Sequence, residues 1–422
     1  MSDLIVSIEK EGKSVIVGRI IGNEPEDARF CYSDDYLALH DAAPISISLP
    51  LSEIPFSPEQ TATFFEGLLP EGFTRQEIAR KLHANENNYL SILSKLGNEC
   101  IGALRITSKD EPVPKASYEE LSFEQIKKLA EEGASRAAEI VTKTHLSLAG
   151  ASGKVGLYHD DKSNKWFLPH GDAPSTHIIK QSHVRLKDIV INERLVMLTA
   201  EKLGIDVAVS SVMNTGSGED PEILFVSGRY DRSYNGATKH VDGLLRPFRL
   251  HQEDMAQAMS IPSSQKYEIN DQGYLIKMFD TIRTNVTDPL KDQLALWDRI
   301  IFSCLIGNTD AHLKNYSLIY DRSLKTISLA PAYDMISTVV YDESTRDMSF
   351  FIGGELSLDK INAACLERAA KDIGIGIKIA MQHYDYIASN LKPALISARN
   401  QMISEGFHAA ERIYKLILST VI

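Results

Sequence analysis

The stretch from Asp288 to Asn315 limits the fold more than any other part of the chain. Asp288-Pro289 reads as a helix start, an N-cap followed by a proline with no N–H to leave unbonded. Leu294, Trp297, Ile300, Ile301, Cys304 and Leu305 then recur at i, i+3, i+4 spacing, and Gly307 ends the run. So broad an apolar face must bury against other helices, so the last part of the chain is expected to be mostly helical. Directly after it comes Asn308-Thr309-Asp310-Ala311-His312-Leu313-Lys314-Asn315, a polar segment that does not continue the helix. A β-hairpin follows, Tyr316 to Tyr320 and Thr326 to Leu329 around Asp321-Arg322-Ser323, and just beyond it stands Asp334.

The rest of the chain sets that segment in context. At 422 residues, two or three domains are expected. Lys and Arg total 45 against 57 Asp and Glu, a net charge of -12, which argues against gripping nucleic acid through bulk electrostatics. Cys31, Cys100, Cys304 and Cys365 are scattered with no CxxC pair, and read as reduced thiols. The opening residues carry Glu9, Lys10 and Glu11 before any long apolar run, unlike a signal peptide, and no stretch approaches the roughly 18 apolar residues of a membrane span. A cytoplasmic protein without a membrane partner is expected.

Pattern shifts divide the chain into an N-terminal α+β domain (1–108), a helical linker (109–143), a small β-rich lobe (144–232) and a helical lobe (233–422). In the first, Leu4 to Ile8 and Val15 to Ile20 flank Glu11-Gly12-Lys13 and read as a hairpin. Phe30 to Leu39 and Ile45 to Leu49 read as further strands, and Phe64 to Leu69 and Arg75 to Leu82 as helices. Ser122 with Gln125 fits a capping box. Ser147 to Tyr158 reads as strand, small-residue loop and strand, followed by strands at Trp166 to Leu168, Thr176 to Lys180 and Ile223 to Ser227. Asn192 to Leu203 reads as a helix.

Four features in this order carry chemistry: the small-residue loop Ala149 to Lys154, Lys180 ending a β-branched strand, the Asp310–Asn315 segment, and Asp334. Moving a phosphoryl group needs backbone donors near the phosphates, a fixed cation, a metal and a carboxylate beside the acceptor hydroxyl. Asp310 and Asn315 stand five apart, as do the proton-accepting Asp and metal-binding Asn of the kinase catalytic loop. The hairpin returns the chain so that Asp334 can share the metal, and Lys180 fits the strand lysine that pairs the phosphates. Singly, each feature has an ordinary reading as a turn, a solvated lysine, a loop or a helix cap; in this order they point to a kinase-like phosphotransferase. There is no HRD, DFG or full GxGxxG. Ser152-Gly153-Lys154 lacks Walker spacing, no G-x-S-x-G elbow surrounds the serines, and His312 has no ligand partner at metal spacing.

These residues, together with Phe64-Phe65-Glu66-Gly67-Leu68-Leu69-Pro70-Glu71-Gly72, Thr176-His177-Ile178-Ile179-Lys180, Arg229-Tyr230-Asp231-Arg232, Lys266-Tyr267-Glu268 and Leu329-Ala330-Pro331-Ala332-Tyr333-Asp334, resemble the HipA family of serine/threonine-protein kinase toxins over nearly the whole length. The resemblance implies an α+β, two-lobed protein-kinase-like fold of the HipA type, with an N-terminal β-rich domain and a mostly helical C-terminal lobe. It implies ATP and Mg²⁺, Asp310 as the catalytic carboxylate, and Asn315 and Asp334 as metal ligands. Lys180 would hold nucleotide phosphates, Ala151, Ser152, Gly153 and Lys154 would form the phosphate loop, and His312 would lie near the phosphates. Gly228, Arg229 and Tyr230 would be the adenine hinge, and Ser147 matches the family's autophosphorylated serine. It further implies a HipB-like helix-turn-helix antitoxin that supplies most contacts to operator DNA, and a protein substrate such as an aminoacyl-tRNA synthetase. A kinase-shaped corepressor acting only by binding, and a small-molecule kinase, remain the alternative readings.

Overall fold

The computed structural model describes residues 3–108, 115–144, 154–182 and 186–421. The chain forms two compact units that it enters more than once. The first comprises Met1–Gln181, Val226–Ser263 and Ile319–Ile327; the second comprises Ser182–Phe225, Ser264–Leu318 and Ser328–Ile422.

The first unit opens on an antiparallel sheet in the order Arg29–Tyr32, Lys13–Ile21, Leu4–Lys10, Leu104–Ser108. The expected hairpin forms, with Lys10 opposite Lys13. Its two turn residues, Glu11 and Gly12, are both left-handed at φ 48° and 73°, the backbone a tight hairpin requires. Leu4, Val6 and Ile8 alternate onto one face and meet Val17, Ile20 and Phe30. The helices Pro58–Glu66, Gly72–Leu82 and Tyr89–Leu96 close that core with Phe64, Phe65, Ile78 and Leu93.

Two expected strands differ. Phe30 to Leu39 is strand only over Arg29–Tyr32, because the Ser33 hydroxyl accepts the Tyr36 N–H at 3.3 Å and caps a short helix, Asp34–Leu37. Ile45 to Leu49 is not a strand. Its backbone is satisfied by side chains instead: the Tyr32 hydroxyl accepts the Ile45 N–H at 2.9 Å and donates to the Leu49 carbonyl at 2.6 Å. The buried carboxyl of Glu253 accepts from the Ser46 hydroxyl and from the Ile47 N–H at 3.0 Å.

In this unit four strands of a second sheet run in the order Ser117–Glu120, Lys165–His170, Lys154–Asp160, His177–Gln181. After the strand Ser117–Glu120 comes the helix Phe123–Thr144, opened by the expected capping box: Gln125 accepts the Ser122 N–H at 2.8 Å and returns its own N–H to the Ser122 hydroxyl at 3.3 Å.

The second unit is built on the helices Ile189–Lys202, Tyr274–Asn285, Pro289–Ile306, Ala363–Asp372, Ile377–Ser404 and Ala409–Thr420. Of the apolar stripe predicted for Pro289–Ile306, Trp297, Ile300, Ile301 and Cys304 are buried while Leu294 and Leu305 are half-buried, and Trp297, fully buried, donates its indole N–H to the Ala380 carbonyl at 3.1 Å. Among the described residues no helix is long and apolar enough to cross a membrane.

Burial pushes the Glu253 carboxyl up to about 7 from an ordinary 4.5, against the bonds from Ser46, Tyr320 and Ile47. Between those two values the folded chain keeps a proton that the unfolded chain has lost, so this group costs stability as pH rises through the window. Glu253→Gln, compared with the wild type by chemical denaturation, is expected to gain on the order of 2–3 kcal/mol between pH 5 and pH 8. A difference between the two proteins that does not change with pH would contradict this.

Candidate active site

Gly307 decides where the chain goes after the helix Pro289–Ile306. It caps the helix in the left-handed region at φ 73°, and a Cβ there would stand 2.3 Å from Val339 Cγ2. Only glycine turns the chain in that space. The segment from Asn308 to Asn315 is nearly all buried yet irregular, so its polar backbone must find partners outside a helix or sheet.

At Thr309 those partners are the hydroxyls of Thr338 and Ser349. Its N–H donates to the Thr338 hydroxyl at 2.8 Å, the two hydroxyls meet at 2.7 Å, and its Oγ1 donates to the Thr345 carbonyl at 3.0 Å. The Ser349 hydroxyl donates to the Thr309 carbonyl at 2.7 Å. Thr338 in turn donates to the Gly307 carbonyl at 2.9 Å. Asp310 is thus presented from a backbone fixed on both sides. Its carbonyl accepts the His312 N–H and the Asn315 side-chain amide, both at 2.8 Å. With that NH₂ spent, the oxygen of the Asn315 amide is the atom left for a cation.

The Asp310 carboxylate is half-buried and accepts the Tyr267 hydroxyl at 2.5 Å. The Tyr267 ring lies edge-on to His312 at 5.1 Å, and the Lys266 ammonium sits 5.4 Å from its centre. Glu268 pins this Tyr267 segment: its carboxylate accepts the N–H groups of Gln272 (2.6 Å), Tyr274 (3.1 Å) and Phe351 (2.9 Å).

Asp334 reaches the same neighbourhood through the residue before it. The Tyr333 hydroxyl donates to the Lys314 carbonyl at 2.7 Å and meets the Ser317 hydroxyl at 2.6 Å, which ties Tyr333 to the residue preceding Asn315. On one side Ala332 is held by Asp206 and Ala208, at 2.9 and 2.8 Å. On the other, Ser337 is clamped by Asn192, whose amide accepts the Ser337 N–H at 3.0 Å and donates to its carbonyl at 2.9 Å. Between the clamps Asp334 sits at φ 57°, a left-handed conformation that only a well-determined surrounding keeps in a non-glycine residue. Asp334 is therefore not a helix cap. The donor set, one amide oxygen and one carboxylate, is hard and oxygen-only, as Mg²⁺ bound together with substrate phosphates requires. Among the described residues no three His, Cys, Asp or Glu gather into a metal site of their own.

The first unit holds the remaining candidates. Lys154 and Lys180 are direct partners across the antiparallel strands, both half-buried. Ser147 and the loop residues Ala151, Ser152 and Gly153 lie outside the described residues. Of the hinge candidates, Arg229 has its side chain turned away into a buried network. Its guanidinium donates to Asp231 at 2.9 and 2.6 Å and to the Ser175 hydroxyl at 2.9 Å, with Glu99 at 3.4 Å. Arg232 reaches the same Glu99 at 2.8 Å. Burial disfavours charge on Glu99, yet Arg229 and Arg232 outweigh it and hold the carboxyl below its usual range. The Arg229 N–H is also spent, on the Thr176 carbonyl at 2.9 Å. Arg229 therefore positions the segment that Gly228 and Tyr230 belong to.

Thr309, Thr338, Tyr333 and Tyr267 had no assigned part in the sequence reading. Thr309, Tyr333 and Tyr267 stand inside motifs that carry the family resemblance, but periodicity and spacing do not register what their hydroxyls bond.

Comparison with known proteins gives one consistent picture. The family described as HipA-like C-terminal domain matches residues 146–395, and HipA N-terminal domain matches 12–107. The protein Y4mE of Sinorhizobium fredii is 32% identical over 391 residues, covering 90% of this chain and 89% of that protein. The serine/threonine-protein kinase toxin HipA of Shewanella oneidensis is 25% identical over 363 residues, covering 83% of this chain and 80% of that one. Among solved structures, the Shewanella oneidensis toxin–antitoxin complex of HipA, HipB and operator DNA superposes with a TM-score of 0.80 at 21% identity, covering 99% of this chain and 96% of that one. That likeness establishes the α+β, two-lobed kinase-like fold.

Removing the Thr309 hydroxyl leaves a buried hydroxyl and a carbonyl short of a partner. Thr309→Val is expected to lower unfolding stability by about 1–3 kcal/mol in urea titration. A loss below about 0.5 kcal/mol, the range of ordinary surface changes, would contradict the anchoring role.

Proposed function

The chain belongs to the HipA family, and on that premise we propose that it is an ATP- and Mg²⁺-dependent protein serine/threonine kinase, the toxin of a toxin–antitoxin pair. The observation that carries this reading is the bonding that draws Asp310, Asn315 and the Tyr333-Asp334 segment onto one scaffold.

Asp310 takes the proton of the acceptor hydroxyl as its oxygen bonds to the terminal phosphorus of ATP; the bond from that phosphorus to the bridging oxygen breaks, and ADP leaves with the electron pair. Asn315, through its amide oxygen, and Asp334 hold Mg²⁺, which when bound neutralises charge on the phosphates. Lys180 and Lys154 pair phosphate oxygens from their shared register position, with Ala151, Ser152 and Gly153 as the loop. Gly228 and Tyr230 serve the base through their backbone, and His312 lies beside the phosphates.

Ser147 is the self-inactivation site in this reading. A phosphate there adds roughly two negative charges where the nucleotide's own phosphates must sit. The substrate is a protein of translation, an aminoacyl-tRNA synthetase in the first instance. A HipB-like helix-turn-helix antitoxin is the partner, supported by the HipA–HipB–operator complex that the fold resembles. The net charge of -12 fits operator contacts made mainly by the antitoxin, and the site of action in this reading is the cytoplasm.

Asp310→Asn preserves shape and removes the base. Transfer of ³²P from γ-labelled ATP to protein is expected to fall at least 10²-fold, while ATP affinity measured by calorimetry changes less than about threefold. Wild-type labelling rates in the variant would refute the assignment, and label appearing in a soluble small product instead of protein would make the enzyme a small-molecule kinase.

A further inference from the structure

Fixing the backbone of Asp310 does not by itself fix its carboxylate. The Asp310 carbonyl is held by His312 and Asn315, and the Thr309 main chain by Thr338 and Ser349. The carboxyl still turns about the bond to its β-carbon, in a broad and roughly two-fold well. A base must nevertheless present an oxygen within about 3 Å of the group whose proton it takes. The Tyr267 hydroxyl acts on the carboxylate itself, donating to Oδ1 at 2.5 Å. That is the length of a charge-assisted O–H···O⁻ bond, roughly twice as strong as a neutral one. The direction of donation follows from chemistry. An ordinary phenol holds its proton about six pH units more tightly than a carboxyl, so the proton stays on the tyrosine and the carboxylate stays a base.

Tyr267 is itself mounted on the frame that carries Asp310. On one side the Lys266 carbonyl accepts the N–H of Leu313, in the Asp310 loop, at 3.4 Å. On the other the Glu268 N–H donates to the Ser349 carbonyl at 2.8 Å, and the Ser349 hydroxyl donates to the Thr309 carbonyl at 2.7 Å. The circuit from Asp310 through Thr309, Ser349, Glu268 and Tyr267 back to Asp310 is therefore closed. The Glu268 carboxylate stiffens it through the N–H groups of Gln272, Tyr274 and Phe351. The Tyr267 ring stands edge-on to His312, at 85° between planes, which limits its swing. Tyr267 is nevertheless 43% exposed, so core packing does not account for its place.

We propose that Tyr267 is a positioning residue for phosphoryl transfer: through Oδ1 it sets the orientation of the Asp310 carboxylate, so that Oδ2 meets the acceptor hydroxyl. This rests on the role given to Asp310 in the kinase reading. Tyr267 gives up no proton; the acceptor's proton passes to Asp310.

Tyr267→Phe keeps the ring beside His312 and removes only the bond. Full-length wild type and variant are compared in transfer of ³²P from γ-labelled ATP to dephosphorylated casein, and both are crystallised. The variant is expected to lose at least tenfold in kcat, while KM for ATP changes less than about threefold and the thermal unfolding midpoint is unchanged. In its crystal the Asp310 carboxylate is expected to turn from the wild-type orientation, with the backbone from Thr309 to Asn315 in place. A kcat within about twofold of wild type would overturn the proposal. So would a rise in kcat, which would make the hydroxyl a block on the base, and so would a carboxylate that keeps its orientation. A fall in kcat matched by an equal loss of ATP affinity or by a lower unfolding midpoint would make Tyr267 a structural residue and also overturn it. A wild type that labels no protein counts against the kinase reading instead, and the carboxylate orientation in the two crystals then decides the positioning role.

Discussion

A buried backbone with little regular structure must still have its N–H and C=O groups bonded, and the segment after Gly307, regular only in one 3-10 turn at Leu313–Asn315, lives under that constraint. Thr338, Ser349 and Tyr333 meet it with hydroxyls drawn from distant parts of the chain. The same bonds fix Asp310, Asn315 and Asp334, so the geometry of the site follows from satisfying the loop that carries it. Precision comes at a conformational cost: Gly307 and Asp334 are both left-handed, and Asp334 keeps that state only because Ala332 and Ser337 are clamped on either side of it.

The first unit meets a related constraint with charge. Glu99, Asp231, Arg229 and Arg232 are buried together, and Ser175 and the Cys100 and Gly102 carbonyls take up remaining donors. Such a cluster adds little net stability over well-packed apolar residues, but it penalises any arrangement that leaves one member alone. It therefore specifies how the segment after Ile223–Gly228 meets the N-terminal domain.

Local signals explain what was legible in the sequence. The hairpin around Glu11-Gly12, the capping box at Ser122 and the helix from Asp288 to Gly307 were readable because turn chemistry, caps and period act within a few residues. Ile45 to Leu49 had the alternation of a strand, yet Tyr32 and Glu253, remote in sequence, satisfy its backbone instead. The spacing from Asp310 to Asn315 was visible, and so was the motif holding Arg229. The hydroxyl anchors and the inward turn of Arg229 were not, because both depend on partners that no local pattern names.

The central claim is that Asn315 and Asp334, 19 positions apart in the sequence, hold one divalent cation with the nucleotide. Electron paramagnetic resonance of Mn²⁺, titrated into the full-length protein with a saturating non-hydrolysable ATP analogue, reads that cation directly. The account predicts one nucleotide-dependent Mn²⁺ site that weakens at least about tenfold in Asp334→Ala and also in Asn315→Ala. Mn²⁺ binding of wild-type strength in both variants would contradict it.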